Sequence, residues 1–96
     1  MIVADFSMIP MGTGTSASRY VKAVHEVLKS SGVNFVPGSM STSVEVESLQ
    51  ELFRVIDAAN DRLKEIGVQR IITNIRIDSR LDKEISIDSK LKAVEP

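Results

Sequence analysis

The chain has 96 residues, 12 basic and 13 acidic side chains and a net charge of −1. This length predicts a single domain, residues 1–96. The absence of cysteine excludes disulfides, thiolate nucleophiles and cysteine-ligated zinc, and the single histidine leaves at most one imidazole ligand for a metal.

Two further features of the composition bear on partners. No apolar run approaches the roughly 18 residues of a membrane span, and no charged segment precedes an apolar stretch as in a secretory signal. Acidic and basic residues are mixed along the chain and aromatic residues are scarce. We therefore expect a cytoplasmic protein with no membrane partner and no nucleic-acid partner.

The first predicted strand covers residues 2–11 and ends near Pro10. Its side chains alternate, because successive residues of a strand point to opposite faces of the sheet. One face carries Ile2, Ala4, Phe6 and Met8, and the other carries Asp5 and Ser7.

A loop and a helix follow. Residues 12–16 have the sequence Gly-Thr-Gly-Thr-Ser, which fits either a turn with a side-chain cap from Thr15 or Ser16 or a loop that contacts a ligand. The helical pattern over residues 17–30 predicts the first helix, with Gly32 as its stop. Its predicted core-facing stripe consists of Ala17, Val21, Val24 and Leu28.

The next elements are two strands and a second helix. Residues 33–37 and 39–46 are predicted as strands joined at Pro37-Gly38. Ser48 followed by Glu51 is a capping-box signal for a helix that runs to about Ile66. The predicted buried side of this helix consists of Leu49, Leu52, Phe53, Ile56 and Leu63.

Residues 69–78 alternate almost strictly and predict the last strand. One face carries Ile71, Thr73, Ile75 and Ile77, and the other carries Asn74, Arg76 and Asp78. In the charged tail, Ile87, Leu91 and Val94 have helical spacing, which predicts a short C-terminal helix.

The element order β-α-β-β-α-β is that of a ferredoxin-like α+β sandwich. We therefore expect a four-stranded antiparallel sheet with two helices on one face, plus the C-terminal helix. The first strand is expected to lie between the third and fourth strands. Its Asp5 and Ser7 would then occupy the middle of the open face, flanked by Ser41, Ser43 and Glu45 on one side and Asn74, Arg76 and Asp78 on the other.

Few side chains are candidates for ligand binding, ion pairing or catalysis. Glu45 in the third strand fits either an ion pair with Arg76 or a carboxylate that accepts hydrogen bonds from an amino-heterocycle or a cation. Arg76 and Asp78 share a face and are expected to pair with each other or across a subunit interface. His25 is interpreted as a partly covered surface residue, so we expect neither catalysis nor a metal site.

Three short motifs together resemble one family. They are Met8-Ile9-Pro10-Met11-Gly12-Thr13, Met40-Ser41-Thr42-Ser43-Val44-Glu45 and Arg76-Ile77-Asp78-Ser79-Arg80. In this order and at this chain length they are similar to the small thiamine-binding protein family, formerly an uncharacterised protein family, which is related to the YkoF-type hydroxymethylpyrimidine/thiamine-binding proteins.

The resemblance implies a homotetramer built as a dimer of dimers, with sheets meeting through their open faces. It also implies a site for thiamine or its pyrimidine moiety at a subunit interface. We expect this site to have no cofactor and no catalytic activity. The family pattern has Gly where Ser41 stands and a Tyr in the second strand, where this chain has Phe35.

The residues expected to bind the ligand combine a carboxylate, an amide, hydroxyls and apolar side chains. They are Ser7, Met8, Thr13, Ser39, Met40, Ser43, Glu45 and Asn74. The residues expected at the interface are Asp5, Arg76, Asp78 and Arg80. The alternative is an oligomeric regulatory or structural module whose polar sheet face serves only self-assembly.

Overall fold

A computed structural model describes all residues 1–96 and has three helices and one four-stranded sheet. In chain order the elements are β1 (Ile2–Pro10), α1 (Ser18–Ser31), β2 (Asn34–Pro37), β3 (Thr42–Val46), α2 (Leu49–Glu65), β4 (Ile71–Asp78) and α3 (Ile87–Ala93). The sheet is antiparallel with the order β2-β3-β1-β4. The predicted ferredoxin-like fold is therefore confirmed.

The strand register fixes what shares the open face. Asp5 of β1 lies opposite Ser43 of β3 and opposite Arg76 of β4. Ser7 lies opposite Asn74. The predicted central position of β1 is thus correct, and the polar residues meet in the middle of the face that α1 and α2 do not cover.

The core lies between the other face of the sheet and the two long helices. Ala4, Phe6 and Met8 of β1 pack in a cluster of 12 buried residues with side chains of α1, α2 and β3. Leu28, Val44 and the other central side chains are fully buried. Each such aliphatic side chain contributes about 1.5–3 kcal/mol by leaving water.

The helix termini agree only in part with the sequence signals. Gly32 adopts a φ of 75° at the end of α1, as predicted for a glycine stop. The start of α1 has no side-chain cap, because the N-cap position is Ala17; the predicted Ser16 hydroxyl contacts that of Ser18. At α2 the Ser48 hydroxyl accepts from the Glu51 amide, as predicted. The Glu51 carboxylate, however, accepts from the amide of Glu47 and does not complete a capping box.

The buried side of α2 differs from the prediction. Val55 and Ala59 are buried together with Leu52 and Leu63, whereas Phe53 remains 51% exposed. The spacing of the four buried residues follows the helical repeat along one stripe, and Phe53 falls beside that stripe. The side of α2 that packs against the sheet is therefore the one that carries the smaller residues Val55 and Ala59.

The third strand is shorter than predicted. It begins at Thr42, so residues 38–41 form a loop between β2 and β3 and do not continue the strand alternation. The Gly38 amide donates to the Ser41 carbonyl oxygen over 2.9 Å. A Cβ atom at Gly38 would lie 2.6 Å from that oxygen, so the loop requires glycine here.

The C-terminal helix covers one end of the open face. Val3 of β1 is buried there against Ile85 and Ile87 in a separate cluster of three residues. The sequence had suggested a wholly polar open face, but this end of it is apolar. Leu91 and Val94 of the predicted stripe stay 56% and 77% exposed. None of the three helices has the length and apolar character needed to cross a bilayer.

Candidate functional site

A cleft opens at the edge of the sheet where β3 begins, at Thr42. Its volume is about 180 Å³, and seven of its 14 lining residues are hydrophobic. The walls come from the last half of β1, the first two turns of α1, the loop over residues 38–41, and Thr42 at the start of β3. An apolar cavity with a few polar groups is the usual form of a small-molecule site.

The cleft exists because β1 is longer than its neighbour. Phe6 is the last β1 residue paired with β3, at Thr42, whereas pairing with β4 continues to Pro10. Beyond Phe6, the edge of β1 that faces β3 has no strand partner, so alternate residues there direct unpaired main-chain polar groups into the cleft. These groups add hydrogen-bonding capacity along one wall of the cleft.

Two polar side chains lie together at the base of the cleft. Thr42 is only 7% exposed, and its hydroxyl lies 3.1 Å from Nε2 of His25. The His25 ring also lies 5.8 Å from the Phe35 ring, with the planes tilted by 33°. The imidazole is thus held by a hydrogen bond on one side and by an aromatic neighbour.

The loop wall is tied to the centre of the open face. The Ser41 hydroxyl donates to Oδ2 of Asp5 over 3.1 Å, and Nε of Arg76 donates to Oδ1 over 2.9 Å. The Asp5 side chain is 19% exposed and that of Arg76 is 86% exposed. The Arg76 guanidinium, aided by the Ser41 hydroxyl, holds the pKa of Asp5 below its usual value, although partial burial acts in the opposite direction.

The structure divides the predicted ligand-binding residues between two places. Four of them line the cleft: Ser7, Met8, Ser39 and Met40. The other four do not. Ser43 and Asn74 lie on the open face beside β1, Thr13 lies in the loop before α1, and Glu45 faces α3.

Glu45 has a structural partner that the sequence did not indicate. Its Oε1 accepts a hydrogen bond from the main-chain amide of Ile87, the first residue of α3. Arg76 pairs with Asp5 instead. The expected Glu45–Arg76 ion pair is therefore wrong, and the carboxylate fastens the C-terminal helix to the sheet.

The predicted interface residues also have partners within the chain. Arg76 and Asp78 do not pair with each other, because Arg76 binds Asp5 and Asp78 binds Nζ of Lys90. With Ser43 they line a hollow of about 360 Å³ on the open face. Arg80 pairs with Asp82, a contact that raises the pKa of Arg80 and lowers that of Asp82.

Several cleft residues were missed by the sequence analysis. His25 and Thr42 were given no ligand role, and Val21 was assigned to the core although it is 42% exposed and lines the cleft. The spacing that placed Val21 on the stripe of α1 cannot show that the sheet ends beneath it. The one available signal was that Thr42 alternates onto the same face of the strand as Val44 and Val46.

Other surfaces fit a small ligand less well. A hollow of about 460 Å³ between α1 and α2 has only two hydrophobic residues among its seven, and its charged side chains include Arg19 and Lys22. No group of three His, Asp or Glu side chains is placed to hold a metal ion. The cleft at the start of β3 is therefore the candidate site.

Close relatives match over almost the whole length. A UPF0045 protein of Methanothermobacter thermautotrophicus is 36% identical over 96 residues, covering 99% of this chain and 97% of that protein. The UPF0045 protein YqgV of Bacillus subtilis is 38% identical over 99 residues, covering 98% and 94%.

Solved structures also match this chain over almost its whole length. A hypothetical protein of Methanocaldococcus jannaschii, MJ1052, superposes with a TM-score of 0.85 at 37% identity, covering 97% of this chain and 94% of that one. A Thermotoga maritima protein described as a candidate thiamine biosynthesis/salvage protein has a TM-score of 0.84 at 18% identity, with 98% of each chain covered. That second likeness shows the fold alone.

The sequence pattern that defines the thiamine-binding proteins matches residues 4–95, which include every strand from Ala4 onward, all three helices and the walls of the cleft. The protein belongs to the thiamine-binding protein family.

Proposed function

We propose that this protein binds thiamine or a related hydroxymethylpyrimidine in the cleft at the start of β3, without catalysing a reaction. The observation that carries the proposal is the cleft itself, half apolar in its lining and about 180 Å³ in volume, in a member of a family named for thiamine binding. The description of the Thermotoga maritima protein with the same fold is consistent with this ligand class.

The chemistry of the lining supports a flat heterocycle. Met8 and Phe6 supply apolar contacts from β1, and Met40, which is 87% exposed on its loop, is free to fold over a bound ring. Hydroxyls of Ser7 and Ser39 supply hydrogen bonds that orient it. These groups hold and orient a ligand.

A second copy of the chain completes the site in this proposal. The cleft is smaller than the roughly 300–1,000 Å³ of typical ligand pockets. Its rim includes Ile9, which is 44% exposed and lies opposite Ile72, itself 40% exposed, on the open face. A partner seated on these two residues would cover an apolar surface and close the cleft, as expected for a homo-oligomer.

The first test is isothermal titration of the purified protein with thiamine and with hydroxymethylpyrimidine, after unfolding and refolding to remove any bound ligand. We expect saturable binding of at least one ligand, with a dissociation constant in the micromolar range or below. No heat with either ligand, from protein that is folded, would contradict the proposed function.

Two matched variants show whether binding occurs in the cleft. Val21 and Val36 are both 42% exposed, but only Val21 lines the cleft. Val21→Trp is expected to fill the cleft and weaken binding at least about tenfold, the result of losing roughly 1.4 kcal/mol of binding free energy. Val36→Trp serves as the control and is expected to bind as the unaltered protein does.

A second candidate function follows from the same open face. The apolar pair Ile9 and Ile72 supports a module that only assembles with itself. It predicts a stable oligomer that binds neither ligand, so the titration and a sedimentation measurement on one sample separate the two functions.

A further inference from the structure

The cleft has no charged carboxylate or cation in its lining. Its polar side chains are serine and threonine hydroxyls and one imidazole, that of His25. A charged group placed inside this cavity has no opposite charge to pair with, whereas an uncharged ring such as a pyrimidine needs only hydrogen bonds. The side chains that recognise a ring here must therefore do so through hydrogen-bond direction.

Thr42 is the best placed of these hydroxyls. It is the only polar residue among the buried residues of the chain, and it lies at the base of the cleft opposite Phe6 of β1. Its hydroxyl has one protein partner, Nε2 of His25, at 3.1 Å. Since a hydroxyl has one donor and two acceptor positions, this contact leaves Thr42 able to bond a ligand as well.

The tautomer of His25 determines whether the Thr42 hydroxyl is free to donate or to accept a hydrogen bond from a ligand. In a neutral imidazole one ring nitrogen accepts and the other donates. When Nε2 of His25 accepts, Thr42 donates its hydrogen to the ring and keeps both lone pairs for a donor in the cleft. The contact between the His25 and Phe35 rings limits reorientation of the imidazole and so helps preserve this arrangement.

We propose that His25 and Thr42 are the specificity-determining pair of the cleft. The Thr42 hydroxyl accepts a hydrogen bond from the exocyclic amino group of an aminopyrimidine. Nε2 of His25 accepts the hydrogen bond that Thr42 donates and thereby orients the lone pairs of the hydroxyl toward the ligand. This inference rests on the proposed function and narrows its ligand to an amino-bearing ring. A ring with a carbonyl oxygen at that position places acceptor against acceptor.

The test compares two ligands with four proteins by isothermal titration. The ligands are hydroxymethylpyrimidine and its analogue with a carbonyl in place of the amino group. We expect the unaltered protein to prefer the amino ligand at least about fivefold, the equivalent of one net hydrogen bond. Thr42→Val keeps the side-chain shape but lacks the hydroxyl, and it is expected to abolish that preference. Thr42→Ser is expected to retain it.

His25→Phe provides the fourth protein and a test independent of the buried position. It keeps an aromatic ring beside Phe35 but has no Nε2, so the preference is expected to fall as in Thr42→Val. Because His25 is only half-buried, this variant still tests the pair if Thr42→Val fails to fold.

The outcomes separate this inference from the function on which it rests. Equal loss of both ligands in Thr42→Val and His25→Phe, or an unchanged preference, overturns the inference and leaves the binding function standing. The same holds if the unaltered protein binds both rings equally well. If the unaltered protein binds neither ring, this inference is wrong, and the titration with thiamine then decides whether the binding function stands.

Discussion

Asp5 connects the open face to the wall of the cleft. Its carboxylate receives two hydrogen bonds from Arg76 and one from the Ser41 hydroxyl. Ser41 lines the cleft, so a charge in the centre of the sheet positions the loop over residues 38–41. The family-like sequence of this loop carries serine in place of glycine at position 41, and the structure gives its hydroxyl this partner.

The first prediction concerns the stability of the fold at low pH. Because Arg76 lowers the pKa of Asp5 in the folded protein, the ionised carboxylate stabilises the fold at pH values above the ordinary aspartate value of about 3.9. That contribution is lost as the pH falls through the lowered pKa. We expect Asp5→Asn to reduce the free energy of unfolding at pH 6 and the difference from the unaltered protein to shrink toward pH 2, as measured by urea unfolding.

A matched variant distinguishes this pair from surface charges in general. Asp82 also pairs with an arginine, but it does so on the exposed segment after β4. Asp82→Asn is expected to change stability much less than Asp5→Asn does, since exposed ion pairs contribute little. Equal effects of the two substitutions at every pH would show that the contact with Ser41 and partial burial do not matter.

Among the helices and strands, α3 is the one whose stability depends most on a few individual contacts. A helix of seven residues is not stable alone, and α3 buries only Ile87 of its own residues. Its capping box from Ser86 and Ser89 and its ion pair between Lys90 and Asp78 help it form. The hydrogen bond from the Ile87 amide to Glu45 joins it to the middle of β3.

The second prediction is that Glu45→Ala loosens α3. Removing a charged acceptor from a half-buried amide is expected to cost about 1–3 kcal/mol of that helix's docking free energy. Hydrogen exchange should show faster exchange of the α3 amides and unchanged protection of α2, while hydroxymethylpyrimidine affinity is retained because Glu45 lies outside the cleft.

Glu47 provides the control for this prediction. It lies two residues further along the chain, is exposed, and its side chain has no hydrogen-bond partner. Glu47→Ala should leave α3 protected. If Glu45→Ala abolishes ligand binding while α3 stays protected, the carboxylate contacts the ligand, as the resemblance had suggested.

The elements also show what the sequence could predict. Every strand and helix was predicted, because alternation and helical spacing are local signals. The start of β3 was predicted three residues too early, since residues 39–46 alternate without interruption and only the turn at Gly38 and Ser41 takes the chain away from β1. The cleft follows from that late start. Its walls come from residues far apart in sequence, so no local pattern brings His25 to Thr42.

At the scale of the whole molecule, the chain has a small core and an uncovered sheet. Only 17 of 96 residues are buried, and the molecule is 20 Å thick along its shortest axis, the thickness of two layers. On the open face α3 covers the end near Val3, whereas Ile9 and Ile72 at the other end stay exposed. A small domain with such a face is stabilised by association.

The third prediction is that this apolar end of the open face is the contact between two copies of the chain. Ile72→Asp places a charge there, and burying it in an interface is unfavourable without a partner. We expect analytical ultracentrifugation to show a smaller species than the unaltered protein forms at the same concentration. Phe53→Asp is the matched control, because Phe53 is 51% exposed on the helical side, and it should leave the mass unchanged.

The same variant tests whether association and ligand binding are coupled. Ile72 does not line the cleft, but it lies opposite Ile9, which does. If a second copy closes the cleft, Ile72→Asp should weaken hydroxymethylpyrimidine binding together with assembly, and ligand should shift the unaltered protein toward the larger species by mass action. Full affinity in a monomeric Ile72→Asp protein would instead show that one chain holds the whole site.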